Sequence, residues 1–440
     1  MSWRQVKLGE LVDNFSVRAK DVGGADGLDF FGVSNEDGII KTKYAAEDKA
    51  EDYKIIEKGC FAYNPYRVNV GSIGLVSGDT RGLISPAYVI FKPKPKSIIP
   101  ELLFKFLKSD EGLRQIIFFA RGTVRQALRF EDLCNIEISI PDYSEQQGLY
   151  NKLINSQKSS NVLDAELKNQ LELLKKLRQQ LLQDAVQGKL VTQNKKDEPA
   201  SELLKKIKAE KEKLIAEKKL KKEKALPPIK PEDIPFEIPE NWAWCRLGEI
   251  CTKVTDGFHN TPKKLREGKI YVSATHIRED GIKWSDCLYV SEKDHKELYN
   301  KAYPKKGEIL ITNRGAGCST PVIIDIDEEF SFQNAALIGF NQQLVNNKYL
   351  FYFILKSRDE IMKTFVNGGL QPMLSNVVLG TIPIPFPPLA EQNRIVQKLD
   401  ELMIYCNNLE ASIKESESQN STLLQQVLRE ALRKEPVAML

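Results

Sequence analysis

Residues 144–190, SEQQGLYNKLINSQKSSNVLDAELKNQLELLKKLRQQLLQDAVQGKL, constrain the fold more than any other stretch of this 440-residue chain. Pro141 and Pro199 bound the stretch and no proline interrupts it, so nothing forces a helix to break. Leu149, Leu153, Ser156, Ser160, Leu163, Leu167, Gln170, Leu174, Leu177 and Leu181 follow one another in alternating steps of four and three. That 3.5-residue period predicts the seam of a coiled coil rather than the stripe of a surface helix. At about 1.5 Å per residue, a helix of roughly forty residues spans on the order of 60 Å. Its seam needs a partner.

The partner lies in an internal repeat. Trp3-Arg4-Gln5-Val6-Lys7-Leu8-Gly9-Glu10-Leu11 returns as Trp242-Ala243-Trp244-Cys245-Arg246-Leu247-Gly248-Glu249-Ile250. Lys58-Gly59 before an apolar run ending in Asn64 matches Lys306-Gly307 before one ending in Asn313. Further on, at an offset of 246, Gly122 falls on Gly368, Leu128 on Leu374 and Glu145-Gln146 on Glu391-Gln392. The same offset carries the first rod onto Ile395, Leu399, Leu402, Cys406, Leu409, Ile413, Ser416, Asn420, Leu423 and Val427, with the heptad register intact. The chain therefore reads as two copies of one unit, each a globular domain followed by a long helix.

The expected divisions are 1–142 and 239–387 for the globular domains, 143–191 and 388–435 for the long helices, and 192–238 for a linker. Short apolar runs at 136–140, 307–312 and 321–326 read as strands, and 99–109 and 346–356 as amphipathic helices. That mixture predicts an α+β (mixed α/β) fold. Within the linker, residues 205–224 hold ten Lys and four Glu, with Leu203, Leu204, Ile207, Leu214 and Leu220 scattered among charges. The plain reading is a solvated, partly helical linker ending in an extended Pro-rich tether; direct binding of DNA phosphate is the sharper alternative.

Reactive constellations are missing from the sequence. Seven Cys without a Cys-x-x-Cys pair argue against a disulfide framework or a zinc module, and His259, His276 and His295 lack metal-ligand spacing. Gly188-Lys189 lacks the flanking residues of a P-loop. No catalytic residue, metal or cofactor is expected. The first residues have no apolar signal core and no apolar run nears the length of a membrane span, so the expected location is the cytosol.

Polar and basic residues beside glycines, in matching places of the two copies, are the candidates for reading DNA. In the first copy these are Arg67, Asn69, Arg121, Thr123, Arg125, Gln126 and Arg129; in the second, Lys263, Lys264, Arg278, Asn313, Arg314, Gln371 and Asn376. Arg and Lys can bond guanine, Asn and Gln adenine, and all can hold phosphate. Glycine lets backbone approach a sugar-phosphate chain closely.

These features together resemble the specificity subunits of type I restriction–modification systems. The likeness is carried by Ile138-Ser139-Ile140-Pro141 with Glu145-Gln146, by Ile382-Pro383-Ile384-Pro385-Phe386-Pro387 with Glu391-Gln392, and by the segment from Leu181 to Gly188, Lys189 and Leu190. Trp-x5-Gly-Glu at each domain start belongs to the same likeness. The resemblance implies two target-recognition domains, each reading half of an interrupted site in double-stranded DNA, separated by an antiparallel pair of helices. It also implies two methyltransferase (modification) subunits docked on those helices and restriction subunits recruited to the core, with no membrane involved. The pairing seam is expected to hold Leu163, Leu167, Leu174, Leu177, Leu181, Leu399, Leu402, Leu409, Ile413 and Leu423. Two other readings compete: a self-sufficient adenine methyltransferase using Asn64-Pro65-Tyr66, which resembles an Asn-Pro-Pro-Tyr loop short of one proline, and a coiled-coil adaptor with no DNA role.

Overall fold

The computed structural model describes residues 3–35, 37–42, 47–121, 127–222, 225–258, 261–315, 317–365 and 373–432. The chain forms two compact units, Met1–Asn169 with Ile413–Leu440, and Gln170–Ser412.

In the first unit the strand Trp3–Lys7 pairs antiparallel with Glu137–Pro141, so the two ends of the globular part close on each other. The helical turn Leu8–Leu11 follows, and the Gly-Glu pair explains it. Glu10 Oε1 accepts the Lys7 amide at 3.0 Å, capping the turn. Gly9 lies against Cys134, where an added Cβ would stand 3.0 Å from the cysteine Cβ. The second unit repeats the device. Ala243–Arg246 pairs with Pro383–Phe386, Glu249 Oε2 accepts the Arg246 amide at 2.6 Å, and Gly248 faces Gly380.

Each unit holds a four-stranded antiparallel sheet of the same connectivity. The strand orders are Val12–Asn14, Val89–Pro93, Phe61–Tyr63, Ile73–Leu75 in the first unit and Lys253–Asp256, Ala335–Gly339, Ile309–Thr312, Pro321–Ile323 in the second. A second sheet in each unit is built on one parallel pair, Asp29–Ser34 with Gly82–Ile84, and Lys269–Ser273 with Phe330–Gln333. The α+β expectation is met. The helix expected at 99–109 is Pro100–Leu107, followed by Asp110–Phe119, whereas its counterpart Asn347–Thr364 runs unbroken. Ser109 causes the break by capping the next helix through Gly112 N at 3.2 Å.

The Glu-Gln motif fastens each long helix to its domain. Gln146 is fully buried; its Oε1 accepts the Ile99 amide at 2.9 Å, and its Nε2 donates to the Pro141 and Ser97 carbonyls at 3.2 Å. Gln392 does the same, accepting the Asn346 amide and donating to Pro387 O, both at 2.9 Å. One side chain thus ties strand end, helix start and neighbouring helix together.

The long helices are Tyr143–Val186 and Leu389–Leu432, and within each unit their segments run antiparallel. In the first unit Asn420 Nδ2 donates to Ser160 O at 3.0 Å and Asp164 Oδ1 at 2.7 Å, while Leu149 and Leu153 pack with Val427. In the second, Arg178 pairs with Glu410 at 2.6 Å and donates to Asn407, while Leu182 and Ala185 pack with Ile395, Val396 and Leu399.

The seam differs from the expected one by a rotation. Leu153, Ser160, Leu167, Leu174, Leu399, Cys406 and Asn420 are buried as expected, and Leu181, Leu402 and Ile413 partly so. Leu163, Leu177, Leu409 and Leu423 are instead 43–58% exposed. The half-buried positions next to the seam are Asp164, Leu171, Arg178, Met403, Glu410, Glu417 and Leu424, one residue further along. Asp164–Asn420 and Arg178–Glu410 meet in this phase, with four leucines turned outward.

The linker is likewise not a solvated tether. Ala200–Ala216 is a helix whose Ala200, Leu203 and Ile207 sit in the core of the second unit. Lys211 Nζ donates to Gly248 O at 2.7 Å and Asn341 Nδ2 donates to Glu210 at 2.7 Å. Beyond it, the proline-rich stretch is strapped down by Arg246. Its guanidinium donates to the Pro227, Pro228 and Thr381 carbonyls and pairs with Asp233 at 2.6 Å.

Candidate nucleic-acid interface

In the first unit the strand Phe61–Tyr63 runs into Asn64, whose Oδ1 accepts the Tyr66 amide at 3.0 Å and turns the chain. Leu128, fully buried, donates its amide to Pro65 O at 3.0 Å and stitches a second segment to that turn. Just before it, Arg121 and Ala127 exchange both backbone hydrogen bonds, at 3.0 and 2.8 Å. The edge therefore brings together Arg67, Arg121 and Arg129, all exposed. Asn69 follows in the turn Val68–Val70. Thr123, Arg125 and Gln126 lie outside the described residues.

Asp132 orients one of these groups. Its carboxylate lies 3.1 Å from Arg121 Nε, with the Asp side chain 12% exposed and the Arg side chain 76% exposed. A nearly buried anion thus holds the near edge of the guanidinium while its outer nitrogens face solvent. Tyr66, between the stitched Pro65 and Arg67, is also exposed. In the sequence Tyr66 stands out only within Asn64-Pro65-Tyr66, although an aromatic beside Arg in a turn is itself a signal for stacking on bases or sugars.

The second unit repeats the stitch with different side chains. The strand Ile309–Thr312 runs into Asn313, and Leu374 donates its amide to Asn313 O at 3.0 Å. Arg314, exposed, pairs with Met373 through a backbone bridge, and Asn376 opens the helix Asn376–Thr381 close by. The Asn313 side chain is half satisfied, its buried Oδ1 having no hydrogen-bond partner among the described residues. The residue is buried and its Nδ2 donates to Asp256 Oδ1 at 2.9 Å, which holds the turn. Gln371 lies outside the described residues.

Lys263 and Lys264 project from the segment after Gly257, where any Cβ would strike Phe332 O. Thr261 Oγ1 accepts from Gln333 Nε2 at 3.2 Å and ties that segment to the sheet. Arg278 is exposed in the hairpin of Ile277–Arg278 with Gly281–Ile282. Burial holds His276 below its usual pKa, with the charge of Asp286 opposing and those of Lys264 and Arg278 adding to the shift. Among the described residues no His, Cys, Asp and Glu group could hold a metal ion, and no helix is long and apolar enough to cross a membrane. The Asn64 Oδ1 is engaged by its own turn.

A duplicated α+β chain with a stitched edge and a long helix in each copy defines a class, a chain built from two like halves. Residues 2–173 and 239–416 match the family model of the type I restriction modification DNA specificity domain, and the chain belongs to that family. It is 34% identical to the type I restriction enzyme EcoAI specificity subunit of Escherichia coli over 54% of this chain and 41% of that one. Against the EcoDI specificity subunit of Escherichia coli the identity is 25%, over 100% of this chain and 89% of that one. The chain thus spans about two fifths of the first relative and most of the second. The HsdS subunit from Thermoanaerobacter tengcongensis shares the fold at 19% identity and a TM-score of 0.57, covering 99% of this chain and 97% of that one. A chain solved in work on assembly and conformational transition of the type I R-M system does so at 20% identity and 0.63, covering 98% and 97%. Specificity subunits are the non-catalytic members of restriction–modification complexes.

Proposed function

We propose that this chain reads a bipartite, interrupted site in double-stranded DNA, each recognition domain (1–142 and 239–387) reading one half. One observation carries the reading. Matching leucines, Leu128 and Leu374, donate their amides to the turn after the corresponding strand in both copies, to Pro65 O and to Asn313 O one residue apart in register, yet different side chains surround the two contacts. A common frame with exchangeable reading groups suits two different half-sites. Arg67, Arg121, Arg129 and Tyr66 serve one half; Lys263, Lys264, Arg278 and Arg314 serve the other, with some contacts to phosphate and some to base edges. The work takes place in the cytosol.

The chain also acts as a scaffold for two methyltransferase subunits and for restriction subunits. Support comes from the outward faces of the long helices. Val162, Leu163, Leu173 and Leu177 on the first, and Ile404, Tyr405, Leu409 and Leu423 on the second, are large apolar side chains left exposed. Apolar stripes of this kind mark protein-binding faces.

The test is an exchange of residues 257–378 for those of another family member, followed by mapping of methylated adenines in cells. One half of the methylated sequence is expected to change and the other to persist. Changes in both halves would overturn the division of labour.

A further inference from the structure

The helix Ala200–Ala216 and the residues after it carry the densest charge in the chain. They lie outside the two stretches that match the family model, so family membership does not account for them. One face of the helix is anchored in the second unit by Leu203, Ile207 and Lys211. On the rest, Lys205 pairs with Glu202 at 2.8 Å, Lys206 with Glu198 at 2.6 Å and Lys219 with Glu217 at 2.8 Å. Lys208, Lys213, Lys218, Lys221 and Lys222 are exposed and make no ion pair within 4.0 Å among the described residues, Lys213 facing Glu217 only at longer range. Glu212 and Glu217 are the acids exposed among them, Glu217 being the one paired with Lys219.

The patch has a defined position. Lys211 bonds Gly248 O, and Gly248 packs on Gly380 in the helix Asn376–Thr381. The other end of that helix is Asn376, two residues from the stitched Leu374. At about 1.5 Å per residue the six-residue helix covers roughly 10 Å. That is comparable with the roughly 12 Å width of a major groove. The lysines therefore begin within reach of a duplex read at the edge of the second unit.

We propose that Lys208, Lys213, Lys218, Lys221 and Lys222 grip DNA phosphates flanking the half-site read by the second unit, without regard to sequence. The proposal rests on the reading of that unit as a DNA reader. Duplex DNA fits better than an acidic protein surface, because protein interfaces centre on large apolar side chains and are depleted in Lys. Leu214, Ile215 and Leu220, the large apolar residues of this segment, are half-buried rather than presented.

The experiment uses the complex assembled with its methyltransferase subunits and the five lysines replaced by Gln. Affinity is measured against salt on three duplexes: one bearing the methylated site found by genome mapping with long flanks, one trimmed beside the second half-site, and one scrambled. The variant is expected to lose affinity by the same factor on the long and scrambled duplexes. Its log–log salt slope should become shallower by about two or more, at about 0.9 for each phosphate no longer neutralised. Trimming the flank should reproduce the loss in the unaltered complex, and the methylated sequence should stay the same. An unchanged slope in a complex that still prefers its site would overturn the proposal. Impaired subunit assembly at an unchanged slope would overturn it in favour of an acidic protein partner. An unaltered complex with no preference for the mapped site would refute the DNA-reading role itself.

Discussion

Asn420 on the second long helix sits 2.7 Å from Asp164 on the first, a polar pair within the seam of the first unit. A polar contact there fixes register at a cost in stability. Asn420→Ala is expected to destabilise the first unit by about 1–2 kcal/mol, because Asp164 loses its donor in a half-buried place. Asn420→Leu with Asp164→Leu should recover that stability yet let the helices slip. Denaturant unfolding reads the first effect. Cysteine pairs placed along the seam read the second, as crosslinks from more than one register; a single register would show that the pair does not specify alignment.

Gln146 and Gln392 each satisfy buried backbone groups that no other side chain reaches in the same way. Gln146→Leu keeps the volume but strands the Ile99 amide and the Pro141 carbonyl. The expected loss is about 2–4 kcal/mol, and Gln392→Leu should match it in the second unit. A loss below about 1 kcal/mol in either variant would mean that the junction is held by strand pairing alone.

Glu391, beside Gln392, is almost fully buried. Burial raises its pKa above the ordinary 4.5, only partly opposed by the Trp242 indole, by Gln193, whose Nε2 donates to it at 2.5 Å, and by Arg394. The folded chain thus holds this proton more tightly than the unfolded chain does. The resulting stability is fully present below the unfolded value of 4.5 and is lost as pH rises through the folded value. Glu391→Gln keeps the neutral form at every pH. Its stability relative to the unaltered protein should climb above pH 4.5 and then level off, measured by denaturant unfolding across pH. A constant difference between the two proteins would show that the carboxyl is solvated.

Much of this architecture is legible in the sequence because duplication makes weak signals confirm one another. Trp-x5-Gly-Glu and Glu-Gln recur at fixed offsets, and the structure gives both a job at a domain junction. The seam is legible in period but not in phase. Counting apolar residues favours Leu163 and Leu177, whereas the observed phase joins polar residues more than two hundred positions apart, as Arg178 and Glu410 are. Leu203 and Ile207 are one helical turn apart and hidden among lysines, so their burial depends on a surface elsewhere in the chain. Asn313 is of a type that reads adenine, yet its partner Asp256 comes from another strand, a pairing no local pattern announces.

Asp132 offers a way to disturb recognition without touching DNA. Arg121→Ala should lower discrimination at one base pair of one half-site by about 1–3 kcal/mol. Asp132→Asn should reproduce part of that loss by freeing the guanidinium, while Arg314→Ala should act on the other half alone. Binding of the assembled complex to a set of single-base variants reads all three. If Asp132→Asn weakens every duplex equally, Arg121 touches phosphate rather than a base.

Helix length gives the last and most geometric prediction. The seam is antiparallel, so seven residues added to one helix alone would misalign Asn420 with Asp164 or Arg178 with Glu410 and should impair folding. Seven residues added to both, between those two polar pairs, keep each pair in its own heptad. The added length is about 10 Å at 1.5 Å per residue, or roughly three base pairs at 3.4 Å each. If the paired helices set the gap between half-sites, the matched insertion should lengthen the unread spacer by about that much while both half-sites stay the same. Methylation mapping in cells carrying the variant measures the spacer directly. A stable variant that methylates the original spacing would mean that the gap is set by how the domains grip DNA, with the helices serving only to hold partner subunits.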